Sequence, residues 1–515
     1  EMAVHIVQEL EHLSADDRDI WQKIGMAIHS LNNSERGYKI WEDWSKKSDK
    51  FDEADQRKRW KEFKPKKGIN IQTLFWLTNQ AKNGGNGKID EMVLAGFFKD
   101  KFKHQLRYDR DIKNWYQFNG VVWKIDAQSP IRLARQMVLE LSKDSNNSFK
   151  SFRSAGALKG IVNHAELVDD LQINHKKFDV NQKYFATNNG VINLVTGNYR
   201  TAKATDFLLR CADVAFDEAA KCPQWLAFMK SITKNDKELQ KFIQLALGYT
   251  LFGHAELQLF FLVIGSGSNG KGVFMRTLQK LLGDYALSVQ PNLLTTAYGG
   301  NVNSPSPAIA RLNGARMVVC TELPTGKKFD EAFVKQYAGG DEIIARHGYG
   351  ESFSFKPEGK LWLSTNEIPE LVANDLAIWR RLMPVPFNAT FLGDKVDSKL
   401  EEKLSRESAG ILNWLLSGAN SFAHNGLGTC DAVEKLKARM KHEADSLLLW
   451  LSDSCVQAKG KKTQSSLAFE NYVDFMNSQN KKPLTIQRFH SGLVAKGFKS
   501  KRSGGFNFYD GFSLR

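Results

Sequence analysis

The chain has few cysteines and no pairs of them. Its five (Cys211, Cys222, Cys320, Cys430 and Cys455) are scattered over 515 residues with no Cys-x-x-Cys spacing. That pattern excludes a disulfide framework, argues against a zinc site, and fits a reducing compartment. The 11 histidines form no ligand-spaced cluster either. No apolar run is long enough to cross a bilayer and no signal peptide is visible, so a cytoplasmic location without a membrane partner is expected. Low-complexity tracts are missing too, and a composition of 42% hydrophobic and 25% charged residues is globular. What is in excess is positive charge. A net charge of +15 points to a polyanionic partner. The length predicts three or four domains, and Glu1 standing ahead of Met2 predicts a longer gene product.

The most informative stretch is Leu259 to Gly272. Six apolar residues, Leu259 to Ile264, predict a fully buried parallel strand. Gly265-Ser266-Gly267-Ser268-Asn269-Gly270-Lys271-Gly272 follows, and then apolar spacing that predicts a helix ending near Gly283. Strand, glycine loop ending in Gly-Lys, and helix are the context in which a P-loop match becomes credible. Glycines let the backbone N–H groups face phosphates, and Lys271 would reach the β- and γ-phosphates of a nucleotide. Residues 83–88, Asn-Gly-Gly-Asn-Gly-Lys, have similar glycine content but no apolar strand before them, and read as a linker. The loop departs from the general pattern in one respect. Gly272 stands where a Ser or Thr hydroxyl ordinarily ligates Mg²⁺.

Elsewhere the chain is read in order. Residues 3–80 predict a helical module, with Trp21, Ile24, Ile28 and Leu31 on one face and Trp41, Trp44, Trp60 and Phe63 as core. Lys46 to Lys67 carries ten Lys or Arg against five Asp or Glu, which a solvated helix face explains as readily as a DNA contact. Residues 82–88 form the linker. From about 90 to 230 short strands and helices mix, with hairpins expected at Asn119-Gly120 and around Asn189-Gly190 and Thr196-Gly197. Residues 223–252 read as helical.

Three features after the loop belong with it. Arg316 to Thr321 predicts a second buried strand ending at Glu322, where a carboxylate could reach Mg²⁺ and an attacking water. Lys360 to Thr365 predicts a third, ending in Asn366, whose amide could orient that water. Between them Ile343 to Phe355 predicts a β-hairpin carrying Arg346, His347 and Tyr349. The paired Arg380 and Arg381 can pair with acids of their own subunit and are also well placed to reach a neighbour's nucleotide.

This ordered set resembles the phage and plasmid primase–helicases of helicase superfamily 3. Their motif A resembles Gly265-x-Gly267-x-Asn269-Gly270-Lys271, and motif B resembles Val318 to Glu322. The B′ segment is similar to Val334 to Asp341 with Phe353 to Pro357, motif C to Lys360 to Asn366, and the arginine-finger segment to Ala377 to Arg381. Residues 90–250 and 5–78 resemble flanking domains of the same proteins, and residues 441–515 their winged-helix tail.

The resemblance implies an α/β P-loop NTPase core, AAA+-like, with four domains: a helical module at 1–82, an α+β domain at 90–225, the ATPase at 226–425 and a winged helix at 440–515. It implies ATP and Mg²⁺ as cofactors, with Gly265, Ser266, Gly267, Ser268, Asn269, Gly270, Lys271 and Gly272 binding ATP and Thr321 and Glu322 holding the metal. Lys271, Glu322, Asn366 and Arg380 or Arg381 would be catalytic, and Lys335, Arg346, His347 and Tyr349 would bind DNA. The implied activity is 3′→5′ unwinding of forked DNA by a homo-hexamer moving on a single strand, in a bacterial host's cytoplasm. A primase-polymerase domain is not visible after Glu1 and is expected before it. Two rival classes stand beside this reading: a nucleotide-regulated origin-binding platform, and a P-loop kinase or metabolic NTPase, which would explain neither the hairpin nor the paired arginines.

Overall fold

The computed structural model describes every residue except 1–5, 8, 64–72, 75–76, 79–80, 82–89, 145–148, 296–306, 322–328, 347–350, 370, 372–374, 394–395 and 480. The expected linker at 82–88 and the candidate residues Glu322, His347 and Tyr349 lie outside the described residues. Backbone contacts divide the chain into two units, Glu1–Phe178 and Asp179–Arg515. The division falls inside the expected 90–225 segment.

The first unit begins with helices α1 (Arg18–Leu31), α2 (Glu35–Ser45) and α3 (Glu53–Glu62). Asp17 and Asp52 cap α1 and α3 by accepting hydrogen bonds from first-turn N–H groups. Ile24, Ile28, Trp41, Trp44, Trp60 and Phe63 form their shared core, while Leu31, at the end of its helix, is exposed. Then come α4 (Glu91–Phe102), β1 (Leu106–Asp109), β2 (Asn114–Phe118), β3 (Trp123–Ile125), α5 (Ser129–Asp144), α6 (Ala155–Ala165) and β4 (Gln172–Ile173). The sheet order is β3-β2-β1-β4. The β2–β3 hairpin turns at Asn119-Gly120, with Gly120 at φ +100°, a left-handed angle that glycine adopts without strain.

The second unit opens with the antiparallel strands β5 (Tyr184–Thr187), β6 (Gly190–Asn193) and β7 (Tyr199–Arg200). Phe185, Ile192 and Leu194 from this ribbon enter one core with α7 (Pro223–Ile232) and α8 (Lys237–Thr250). That shared core explains why the chain divides at 178 and not near 225. Residues 223–252 are helical as expected, in two helices separated where Lys234 and Asn235 take left-handed angles of +51° and +63°.

A five-stranded parallel sheet follows, built from β8 (Phe260–Ile264), β9 (Ala286–Ser288), β10 (Met317–Cys320), β13 (Lys360–Thr365) and β14 (Leu382–Pro386) in the order β14-β8-β13-β10-β9. Every residue of β8, β10 and β13 is buried; the unbroken apolar runs of β8 and β10 suit this, and in β13 the polar Lys360, Ser364 and Thr365 are buried as well. Helix α9 (Lys271–Leu282) covers one face. Helix α10 (Glu331–Gly339), the hairpin β11 (Ile343–Arg346) and β12 (Ser352–Phe355), and helix α11 (Leu376–Arg381) contribute to the core of the other face. Helices α12 (Leu400–Arg406), α13 (Ser408–Asn425) and α14 (Asp431–Ala444) come next.

The C-terminal segment runs α15 (Ser446–Ser454), β15 (Cys455–Gln464), α16 (Ser465–Ser478), α17 (Ile486–Ala495), β16 (Ser500–Ser503) and β17 (Phe506–Leu514), with sheet order β15-β17-β16. Phe489 and Tyr509 are core residues there, whereas Phe506 is 58% exposed.

No helix among the described residues is long and apolar enough to cross a membrane.

Candidate functional site

The site is built at the C-terminal edge of the parallel sheet, where open α/β sheets bind ligands. Parallel register pairs Ile264, the last residue of β8, with Thr365, the last of β13. The residues that follow, Gly265 and Asn366, therefore leave the sheet side by side. The Gly265 N–H donates to the Thr365 carbonyl at 3.4 Å.

The loop then curls back on itself. Gly267 and Gly270 adopt φ values of +95° and +85°, and Ser268, a non-glycine, is held at +44°. Gly265 needs its missing side chain for another reason: a Cβ there would collide with the Asn269 amide and the Phe387 carbonyl. Asn269 is 2% exposed and fills the centre of the loop. Its Oδ1 accepts from Lys271 Nζ at 3.0 Å. The same ammonium donates to the Gly265 carbonyl at 2.7 Å and to Asn366 Oδ1 at 2.9 Å. Three neutral oxygens thus hold Lys271 between the loop and the end of β13. Gly270 is the N-cap of α9 and supplies no capping side chain, so the positive end of that helix faces the loop.

Two cavities flank the loop. One, of about 370 Å³, has a largely apolar wall including Phe228, Val273, Phe391 and Leu400, and touches the loop at Ser268 and Gly270. The other, of about 840 Å³, has a mixed polar and apolar wall and lies between Gly265–Ser266, Asn366–Ile368 and one face of α14. That face carries Lys435 and Arg439, which pair with Asp431 at 3.1 Å and Glu443 at 3.5 Å. The sequence reading missed both cations. The i, i+4 spacing that puts 435, 439 and 443 on one helix face was legible, but nothing in the sequence said that the face meets the loop.

The remaining candidates are placed as follows. Thr321 directly follows β10 and is exposed. Lys335 donates to Asp375 at 2.5 Å, and Asp375 in turn caps α11 through the Ala377 and Ile378 N–H groups. The Lys335 hydrogen bond holds the Asp375 carboxyl below the usual carboxylate range. Lys335 is therefore tied to the support of the paired arginines.

Those arginines are not equivalent. Arg380 is exposed. Arg381 is 8% exposed, donates to its own Ala377 carbonyl at 3.0 Å, and has its guanidinium pushed below the ordinary arginine value by burial and by Arg380. Arg346 ends β11 opposite Ser352 and is exposed, with Ile343 and Ala345 facing the core.

Asp109, Asp111 and His175 also come together. Both Asp109 carboxylate oxygens are occupied: Oδ1 accepts from the Asp111 and Ile112 N–H groups, and Oδ2 faces the His175 N–H and Nδ1. The cluster is a clamp on the β1–β2 turn and needs no ion.

Comparison with known proteins adds three family matches. Residues 4–78 match primase C terminal 2 (PriCT-2), residues 95–234 match the D5 N-terminal-like family, and residues 263–381 match a family of unknown function (DUF5906). A protein of Acanthamoeba polyphaga mimivirus named "Putative helicase" is 24% identical over 89% of this chain and 54% of its own length. A similarly named protein of invertebrate iridescent virus 6 is 23% identical over 76% and 50%. A protein of African swine fever virus named "Putative primase" is 24% identical over 47% and 25%. The chain therefore spans about half the length, or less, of these curated relatives. Among solved structures, the C-terminal region of NrS-1 is similar over 82% of this chain and 99% of its own, at 10% identity and a TM-score of 0.45.

Proposed function

The chain is a member of the phage-type primase–helicase family, and from that premise we propose that it is an ATP-driven, ring-forming DNA helicase acting in replication. The observation that carries this reading is the contact of Lys271 with both the Gly265 carbonyl and Asn366. It sets a cation, a helix N-terminus and a water-orienting amide around one small space. A triphosphate entering there meets the loop N–H groups and the ammonium, which exchanges neutral oxygens for phosphate oxygens. Asn366, released from Lys271, holds a water in line with the terminal phosphate. Glu322 is the residue we assign to polarise it.

Thr321 and Glu322 would hold Mg²⁺, which would supply charge neutralisation on the phosphates. Its fit is supported by the exposed Thr321 hydroxyl at the end of β10. Gly272 has no side chain and would offer the metal no ligand.

Arg380, supplied by the next subunit of a hexamer, stabilises charge on the terminal phosphate. Finger residues of this kind are worth about 10³–10⁵ in rate. Arg346, with His347 and Tyr349, grips the single strand as each subunit cycles, and translocation runs 3′→5′. Association with a primase-polymerase domain belongs to the same reading.

Strand displacement on a forked DNA substrate is the test, read beside DNA-stimulated ATP hydrolysis. Displacement by the parent protein and its loss in Lys271→Ala are expected. Stimulated hydrolysis without displacement would instead favour a nucleotide-regulated origin-binding platform. Hydrolysis indifferent to DNA would favour a metabolic NTPase.

A further inference from the structure

The C-terminal segment concentrates the chain's positive charge. Residues 455–515 carry eleven Lys or Arg against three Asp or Glu, which supplies eight of the fifteen net charges from about an eighth of the length. The aromatic residues of its last strands separate into two sets. Phe489, Tyr509 and Phe512 are core, with Phe498 packed edge-on against Phe512 at 5.1 Å between ring centroids. Phe506 and Phe508 are left out of that core: Phe506 is 58% exposed and Phe508 is half-buried.

Strand register sets where that second pair stands. Side chains alternate between the two faces of a strand, and residues directly opposite in an antiparallel pair share a face. Thr463 and Tyr509 are paired and buried, so they mark the inner face. The outer face therefore takes Phe506 and Phe508 from the central strand β17. Lys462 and Gln464 of β15 join them, opposite Asp510 and Phe508, and so does Lys501 of β16, opposite Phe508. Lys499, just before β16, lies beside Asp510, whose N–H donates to its carbonyl at 3.0 Å. Asp510 is the one acid on this face and pairs with Lys501 at 3.1 Å, yet the Lys501 side chain stays 66% exposed. Lys462 and Lys499 are exposed and pair with no carboxylate among the described residues. The Gly504-Gly505 turn, with φ of +58° and +86°, has the angles of a two-residue hairpin connection and sets Phe506 opposite Ser503 at its end.

We propose that this outer face is a nucleic-acid site in its own right, one that holds a single strand by stacking bases on Phe506 and Phe508 while Lys462, Lys499 and Lys501 meet its phosphates. Alternate residues of a strand stand about 7 Å apart, roughly twice the 3.4 Å between stacked bases of a duplex strand. Two rings at that separation fit bases unstacked from one another, which a single strand offers and a duplex does not. The neighbouring helix α17 is less suited to phosphates: Arg488 is its one Lys or Arg, and it leaves Ile486 and Val494 57% and 48% exposed. The face shares no residue with the nucleotide loop or the β11–β12 hairpin, so the proposal stands whether or not the chain hydrolyses ATP.

The test is fluorescence anisotropy of the full chain with labelled oligo-dT, oligo-rU and a blunt duplex, in an Arg346→Ala background that weakens any grip by the β11–β12 hairpin. Melting temperature checks the fold. The background protein should still bind single strands. Adding Phe506→Ala should weaken oligo-dT and oligo-rU binding about 5- to 150-fold, the range for losing one stacked base. Phe506→Trp should keep the affinity, whereas Phe506→Leu, apolar but without a ring, should lose it. The oligonucleotide that loses more identifies the strand the face prefers. Lys462→Ala and Lys499→Ala should each make the fall of log affinity with log salt shallower by about 0.7. Unchanged affinity in folded Phe506→Ala protein overturns the proposal, as do equal affinities of the Leu and Trp variants. Tighter binding of the duplex than of either single strand, abolished by Arg488→Ala, would overturn it in favour of groove binding by α17. Unchanged single-strand binding with a lower assembled mass of Phe506→Ala protein, read by light scattering, would overturn it in favour of an interface between copies of this chain.

Discussion

Replacing Gly272 with serine restores the hydroxyl that the general loop pattern supplies to Mg²⁺. The first question is whether the loop tolerates it. Gly272 has no left-handed angle to preserve, and its Cβ would lie 2.9 Å from Arg276 Nη1, the far end of a flexible side chain. Arg276 pairs with Glu401 (3.0 Å from Nε to Oε1) across a surface where the two side chains are 59% and 47% exposed. Loosening such a pair costs about 0–1 kcal/mol. Exchanging a helical glycine for serine returns roughly 0.5 kcal/mol. The two nearly cancel, so Gly272→Ser should melt close to the parent. In function, the hydroxyl would replace one water of the metal's octahedron. Releasing an ordered water is worth up to about 2 kcal/mol. At about 1 kcal/mol, the Mg²⁺ concentration for half-maximal hydrolysis should fall roughly fivefold. Titrating Mg²⁺ against ATPase rate at saturating ATP, with ATP affinity measured alongside, reads this directly. A folded, active Gly272→Ser protein with an unchanged metal requirement would refute the reasoning.

Four further outcomes are expected. Arg380→Ala should abolish hydrolysis in the assembled protein without loss of thermal stability, and should regain activity when mixed with Lys271→Ala subunits. Arg381→Ala should instead lower the melting temperature, because the side chain packs within its own subunit. Arg439→Ala should weaken ATP more than ADP by about tenfold even in dilute, unassembled protein, since Arg439 faces the same cleft as Asn366; equal effects on both nucleotides would remove it from contact with the terminal phosphate. His254 is held below the ordinary histidine value by burial and by the neighbouring Lys360 and Arg316 cations. A lowered histidine value means that the unfolded chain binds the proton more readily, so this stability is present above the unfolded value near 6.5 and is lost as pH falls through it. Urea midpoints at pH 7.5 and 5.5 should converge in His254→Phe relative to the parent.

Much of the core was legible because its signals are local in the chain. The unbroken apolar runs at 260–264 and 317–320, and the apolar centre Leu361-Trp362-Leu363 of 360–365, have the length and composition of strands buried on both faces. The glycines of a tight loop, placed between such a strand and a helical repeat, identify the turn without knowledge of anything distant. The helical reading of 223–252 holds, but the break within it has no strong local signal: Lys234 and Asn235 both turn left-handed where α7 gives way to α8.

The sequence by itself therefore determined which segments would be strands, where the loop would form, and which residue types it would present. Tertiary structure alone decided which of those residues share a space. Parallel register brings Asn366, 95 positions away in sequence, within 2.9 Å of Lys271. Packing of α11 buries Arg381 and leaves Arg380 exposed, although the two are adjacent and chemically identical. Packing of α14 turns Lys435 and Arg439, unremarked in the sequence, toward the loop. The physical reason is the same in each case. Strand and turn preferences depend on neighbouring residues, whereas burial and proximity depend on how distant segments dock, and no spacing within one segment encodes that.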